Sequence, residues 1–153
     1  MFRVVCGSVA STLALAEVIG AHLKHGDVVL LRGDLGAGKT TFTQGICKGA
    51  GMQAGVWARS PTFSLVNEYK GKIKIRHADL YRIDSEEDYS TIGLFDSAFD
   101  GITIIEWAQK LPLKEQMSPT LAVDMVEMSE TARELTLDCS QAFGESITSY
   151  ITK

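Results

Sequence analysis

Eight residues near the first quarter of the chain, Gly33-Asp34-Leu35-Gly36-Ala37-Gly38-Lys39-Thr40, match G-x-x-x-x-G-K-[ST] at every fixed position. Each residue type has a chemical reason. The glycines let the backbone curl closely around an anion, so that successive N–H groups point inward as a nest. A helix starting near Lys39 adds its positive end to the same place. Lys39 would neutralise terminal phosphates, and the Thr40 hydroxyl would ligate magnesium. Such a loop works with a carboxylate on a neighbouring strand that holds the metal directly or through water. Two carboxylates compete for that role. Glu106 ends the apolar run Ile102-Thr103-Ile104-Ile105, and Asp79 lies in His77-Ala78-Asp79-Leu80-Tyr81-Arg82. The uniformly apolar strand favours Glu106 for the metal. The amphipathic one leaves Asp79 for another task, such as orienting the attacking water.

The surrounding pattern predicts the elements that would position these groups. Residues 11–24 carry Leu15, Val18, Ile19 and Leu23 at helical spacing, with Ser8 or Ser11 able to cap the start. Val28-Val29-Leu30-Leu31 reads as a strand buried on both faces, as in parallel sheets. A helix over 39–50 follows the loop and stops at Gly51. Residues 63–69 and 72–78 read as two strands joined by a hairpin at Lys70-Gly71. Residues 85–89 form a short polar helical turn, and 102–105 another buried strand. Residues 121–126 and 134–137 read as an antiparallel pair, with a closing helix over 141–151. The expected architecture is a P-loop NTPase-like α/β fold in one domain spanning 1–153, with a mixed central sheet flanked by helices.

The bulk numbers agree with a globular protein of about one domain: 153 residues, 45% hydrophobic and 22% charged. The first six residues read as a strand, too short an apolar stretch for a signal peptide. No uninterrupted aliphatic run is long enough to span a bilayer. Cys6, Cys47 and Cys139 form no C-x-x-C pair and read as packing residues in a reducing, cytoplasmic setting. A net charge of −4 argues against a strong direct grip on RNA or DNA. In Lys70-Gly71-Lys72-Ile73-Lys74-Ile75-Arg76 the basic residues recur at every second position, which on a strand would share one face. That face is either simply solvated or a docking stripe for an acidic partner or an RNA backbone.

Nucleotide proteins divide further by motif. The N-K-x-D base-reading motif of GTPases is missing, since the one asparagine, Asn67, is followed by Glu68. The six arginines show no clear lid pair of the kind small-molecule kinases need, although Arg76 and Arg82 leave that class open. An ATPase or an ATP-dependent switch is the leading class. A small-molecule kinase and a non-hydrolysing adaptor that reads nucleotide state stand behind it.

GDLGAGKTTF (33–42), SPTF (60–63), HADLYR (77–82) and IIEW (104–107) occur in this order. Together they resemble the bacterial TsaE family, also called YjeE. The resemblance covers most of the chain, and the last three motifs are more specific than the loop. It implies a P-loop ATPase that binds ATP/ADP and Mg2+ and works with TsaB- and TsaD-like partners. That machinery makes threonylcarbamoyladenosine beside the anticodon of tRNA, so contact with tRNA would be weak or indirect. Residue by residue, Leu35, Gly36, Ala37, Gly38, Lys39, Thr40 and Thr41 would wrap the nucleotide. Thr40 and Glu106 would hold magnesium. Thr62 would sense the terminal phosphate, Asp79 would act as base or water-orienting group, and Trp107 would pack beside the site. Arg133 would match an arginine near the nucleotide, in a looser register. Ala108 departs from the proline that many relatives carry, a position that shapes a turn. His77 receives no role, and Tyr81 and Arg82 either anchor the hairpin or meet a partner.

Overall fold

The structure is a computed structural model, and it describes residues 1–61, 65–90, 92–95, 99–116 and 118–151. Seven strands form one sheet: β1 (Phe2–Cys6), β2 (Val28–Arg32), β3 (Val66–Tyr69), β4 (Ile75–Asp79), β5 (Ile102–Glu106), β6 (Leu121–Glu127) and β7 (Arg133–Cys139). Their spatial order is β1-β7-β6-β2-β5-β4-β3. The central strands β4, β5, β2 and β6 are mutually parallel, while β7, β1 and β3 run antiparallel to their neighbours. β2 therefore sits in the middle, which is why its sequence is apolar without alternation.

The helices are α1 (Val9–His22), α2 (Lys39–Gly49), α3 (Glu86–Ser90) and α4 (Gln141–Ile151). The three longer ones share one face of the sheet. Val29 and Leu31 point there and pack with Ile19, Phe42, Ile46 and Ile147. Leu30 points to the other face, against Ala78, Leu80, Ile105 and Leu111. That second face is covered by the chain after β4 and by 3-10 turns at Ala108–Lys110 and Leu113–Glu115. The α/β architecture with a mixed sheet is as the sequence predicts. The unequal distribution of helices was not foreseen.

α1 begins two residues before the predicted start because Ser8 and Ser11 form a reciprocal cap, with the Ser8 hydroxyl accepting from the Ser11 N–H at 3.1 Å and Ser11 accepting from the Ser8 N–H at 3.0 Å. β4 begins three residues late for a specific reason. Gly71 bridges to Met52, and the Lys72 N–H donates to the Gly51 carbonyl, so this stretch pairs with the chain leaving α2 rather than with β3. The predicted basic strand face is therefore not a strand face. Lys70, Lys72 and Lys74 are exposed on the connection, whereas Arg76 is half-buried, paired with Glu68 at 3.1 Å and laid over the Phe99 ring. Of the 63–69 strand, residues 63 and 64 lie outside the described residues.

α1 and α2 meet at glycines. A Cβ added to Gly49 would lie 1.9 Å from the Glu17 carbonyl oxygen, and one added to Gly20 would lie 2.1 Å from that of Ile46. Neither neighbour can swing away, because both are main chain. Gly49→Ala is expected to destabilise the fold by about 3 kcal/mol, the upper end for overpacking. Urea denaturation of the two proteins checks this; an unchanged midpoint would mean the helices part at no cost.

Candidate active site

β2 leads directly into the glycine-rich loop, and α2 leads out of it. Gly38 is the N-cap of α2 at φ 99° and ψ 18°, a left-handed conformation that disfavours any side chain. The turn aims the open N–H groups of α2 into a cavity of about 350 Å³. Among the described residues, Leu35, Gly36, Gly38, Lys39, Thr40, Thr41 and Arg133 all line that cavity, together with Asp79 and Glu106. Ala37 does not; it is buried beneath the loop. Thr62 lies outside the described residues.

Lys39 is only 5% exposed. Its ammonium donates to the Gly33 and Asp34 carbonyls, each at 2.8 Å, and sits 4.1 Å from the centre of the Trp107 ring. Burial lowers its pKa, and the nearby Glu106, Asp79 and Asp34 carboxylates pull it back up. Arg133, at the start of β7, meets the loop from outside. Its Nε donates to the Ala37 carbonyl and its Nη2 to that of Gly36, both at 3.0 Å, while Nη1 donates to the Ser129 carbonyl at 2.6 Å. In this state its hydrogens go to main chain, so it braces the loop against the β6–β7 turn.

Glu106 is the last residue of β5 and is 2% exposed. Its Oε2 accepts from the Thr40 hydroxyl at 3.0 Å, and that hydroxyl meets the Ser60 hydroxyl at 2.8 Å. Its Oε1 accepts from His77 Nε2 at 2.8 Å and lies 3.1 Å from Thr43 Oγ1, whose one hydrogen it shares with the Lys39 carbonyl at 3.0 Å. Parallel register sets Asp79 directly beside Glu106 on β4. Asp79 Oδ1 accepts the Tyr81 N–H at 2.9 Å. Trp107 then turns the chain away at φ 57° and ψ 37°, with its ring 4.9 Å from that of Tyr81. Both rings form part of the cavity wall.

Sequence reasoning missed His77, Thr43 and Ser60. A signal existed for the first two. His77 and Asp79 alternate onto one face of β4, and Thr40 and Thr43 fall on one face of α2. Ser60 stands in the SPTF motif, but its approach to Thr40 depends on the path of an irregular segment and carries no local signal.

The donors around Glu106 fit a small hard cation. Hydroxyl and carboxylate oxygens are few here, which suits magnesium, an ion that retains water and takes further oxygens from phosphates. No group of three or more His, Cys, Asp or Glu poised for a metal occurs among the described residues.

Asp79 has its pKa raised, first by burial and then by the Glu106 charge, against the lowering effects of the Tyr81 N–H, His77 and Lys39. A raised acid pKa means that the folded protein holds the proton more tightly than the unfolded chain. Stability is then lost as pH rises through the interval from the unfolded value to the raised one. Asp79→Asn keeps an acceptor for Tyr81 and removes the charge. In metal-free, nucleotide-free protein it is expected to raise Tm at pH 7, with the gain shrinking as pH falls through that interval. Thermal melts across pH check this; a gain that persists at low pH would point to a cause other than charge.

The family model described as "Threonylcarbamoyl adenosine biosynthesis protein TsaE" matches residues 6–135. The chain belongs to the TsaE family. A Treponema pallidum relative named tRNA threonylcarbamoyladenosine biosynthesis protein TsaE is 35% identical over 136 residues, covering 88% of this chain and 98% of that protein. A Bacillus subtilis protein of the same name is 39% identical, covering 82% of this chain and 77% of its own. The crystal structure of Bacillus subtilis YdiB superposes with a TM-score of 0.68 at 28% identity, covering 99% of this chain and 93% of that one. The four motifs that pointed to TsaE lie inside the matched region. Among the described residues no helix is long and apolar enough to cross a membrane.

Proposed function

We propose that the protein binds and hydrolyses ATP in the cytoplasm as part of the machinery that makes threonylcarbamoyladenosine in tRNA, acting with TsaB- and TsaD-like partners. The observation that carries this reading is the meeting of the phosphate loop with two strand-end carboxylates: Thr40 bonded to Glu106 at 3.0 Å, and Asp79 in register beside it. The loop amides and Lys39 bind the phosphates. Thr40 and Glu106 hold magnesium, which when bound adds positive charge where the terminal phosphates gather. Asp79 orients the attacking water and accepts its proton. Tyr81 and Trp107 wall the site and limit water. Thr62 is assigned the sensing of the terminal phosphate from its motif alone.

Arg133, the arginine that lines the cavity among the described residues, is spent on loop carbonyls and does not act as a finger. Turnover by the protein alone is therefore slow, and a partner completes the site. The exposed Lys70, Lys72 and Lys74 supply the contact with that partner complex or its tRNA. The test is a pull-down from cytosolic extract with ATP present, followed by phosphate release from the recovered complex. Recovery of TsaB- and TsaD-like proteins with faster turnover supports the proposal. Transfer of labelled phosphate to a metabolite without protein partners would favour a small-molecule kinase instead.

A further inference from the structure

His77 is completely buried, yet it is aimed at the site. Its Nε2 lies 2.8 Å from Glu106 Oε1, and its Nδ1 lies 3.5 Å from the Tyr69 hydroxyl. A carboxylate only accepts, so Nε2 carries a hydrogen and donates it to Oε1. The Tyr69 hydroxyl also accepts from the Arg59 N–H at 3.1 Å and lies 3.1 Å from the Arg59 carbonyl. Its hydrogen points to the Arg59 carbonyl, and His77 Nδ1 is in contact with the same hydroxyl oxygen. Next to Arg59 is Ser60, whose hydroxyl meets Thr40. A closed path of contacts thus runs from Glu106 through His77 and Tyr69 to Arg59, and through Ser60 and Thr40 back to Glu106.

We propose that His77 is a positioning residue. It holds Oε1 of Glu106 so that Oε2 stays turned to Thr40 and the metal site, and through Tyr69 it ties that carboxylate to the Arg59–Ser60 main chain. His77 and Thr43 fill Oε1 from beneath, leaving Oε2 as the oxygen that faces the cavity side. Partners of this kind orient metal-ligating groups, and their loss costs about 10–100-fold in metal affinity. The link to Arg59 makes the carboxylate sensitive to whatever displaces the segment before Pro61. This inference rests on the magnesium assignment made above.

The experiment is a Mg2+ titration of the binding of a non-hydrolysable ATP analogue to the full chain, with a parallel measurement in EDTA. His77→Gln places an amide donor near the position of Nε2, whereas the shorter His77→Asn does not reach it. The half-saturating Mg2+ concentration is expected to rise at least about tenfold in His77→Asn and to stay within about threefold of wild type in His77→Gln. Affinity in EDTA stays within about twofold in both, which a general loss of structure would not allow. Equal Mg2+ responses in wild type and His77→Asn, or an EDTA affinity falling in parallel, overturn the proposal. Where a His77 variant fails to fold, Tyr69→Phe carries the test: a rise of about tenfold supports the path and a response within about threefold of wild type overturns it. A wild type whose binding ignores Mg2+ fails differently, since it removes the magnesium reading itself.

Discussion

Lys39→Ala is expected to weaken ATP and ADP binding by about 100-fold or more, the scale on which loss of one member of a desolvated charge pair is felt. The side chain is buried against the loop and is held there by two carbonyls and the Trp107 face. It is thus already within the cavity wall and needs only to exchange carbonyl oxygens for phosphate oxygens. Truncation removes the charge, but the Gly33 carbonyl keeps the Gln109 amide as a donor at 3.2 Å and Asp34 is exposed to water, so the fold should survive. Calorimetric titration with each nucleotide, alongside a thermal melt, separates the two effects. Wild-type affinity in a folded variant would show that the phosphates lie elsewhere.

Glu106→Gln is expected to lower ATP turnover, measured with partners present, by about 10²–10³-fold, as when one preorganised electrostatic group is lost. The reason lies in how the carboxylate is filled. Oε1 already accepts from His77 and lies beside the Thr43 hydroxyl, so the amide oxygen of glutamine takes that side. The amide NH2 then faces Thr40 and the metal position, presenting donors where an acceptor is needed. Nucleotide binding in EDTA should persist while its enhancement by Mg2+ disappears. Unchanged turnover would transfer the metal role to Asp79. Normal tRNA modification in a strain carrying Glu106→Gln would instead favour an adaptor that reads nucleotide state without needing hydrolysis.

The central strands were readable because burial on both faces leaves a largely apolar, β-branched run, as in Val28 to Leu31 and Ile102 to Ile105. The loop was readable because its chemistry constrains consecutive residues. What could not be read is set by contacts between distant segments. The late start of β4 depends on Gly51 and Met52 capturing Gly71 and Lys72. The burial of His77 comes with its contacts to Glu106 on β5 and Tyr69 on β3, and a lone histidine in a strand carries no mark of those partners. Arg133 was placed near the nucleotide by family resemblance. Its hydrogen bonds to the Gly36 and Ala37 carbonyls belong to a β6–β7 turn that local patterning does not specify.

The glycine seam between α1 and α2 has a mechanical consequence. With Gly49 against Glu17 and Gly20 against Ile46, the two helices behave as a single strut, clamped at the level of the main chain. The end of α2 that frames the phosphates cannot travel without carrying α1 along. The opposite wall is tied differently: Arg59 and Ser60 are held there by hydrogen bonds to side chains rather than by interlocked backbone. The site is thus an anvil with one more yielding jaw, and under the proposed function that jaw is the surface on which a partner would feel the state of the nucleotide.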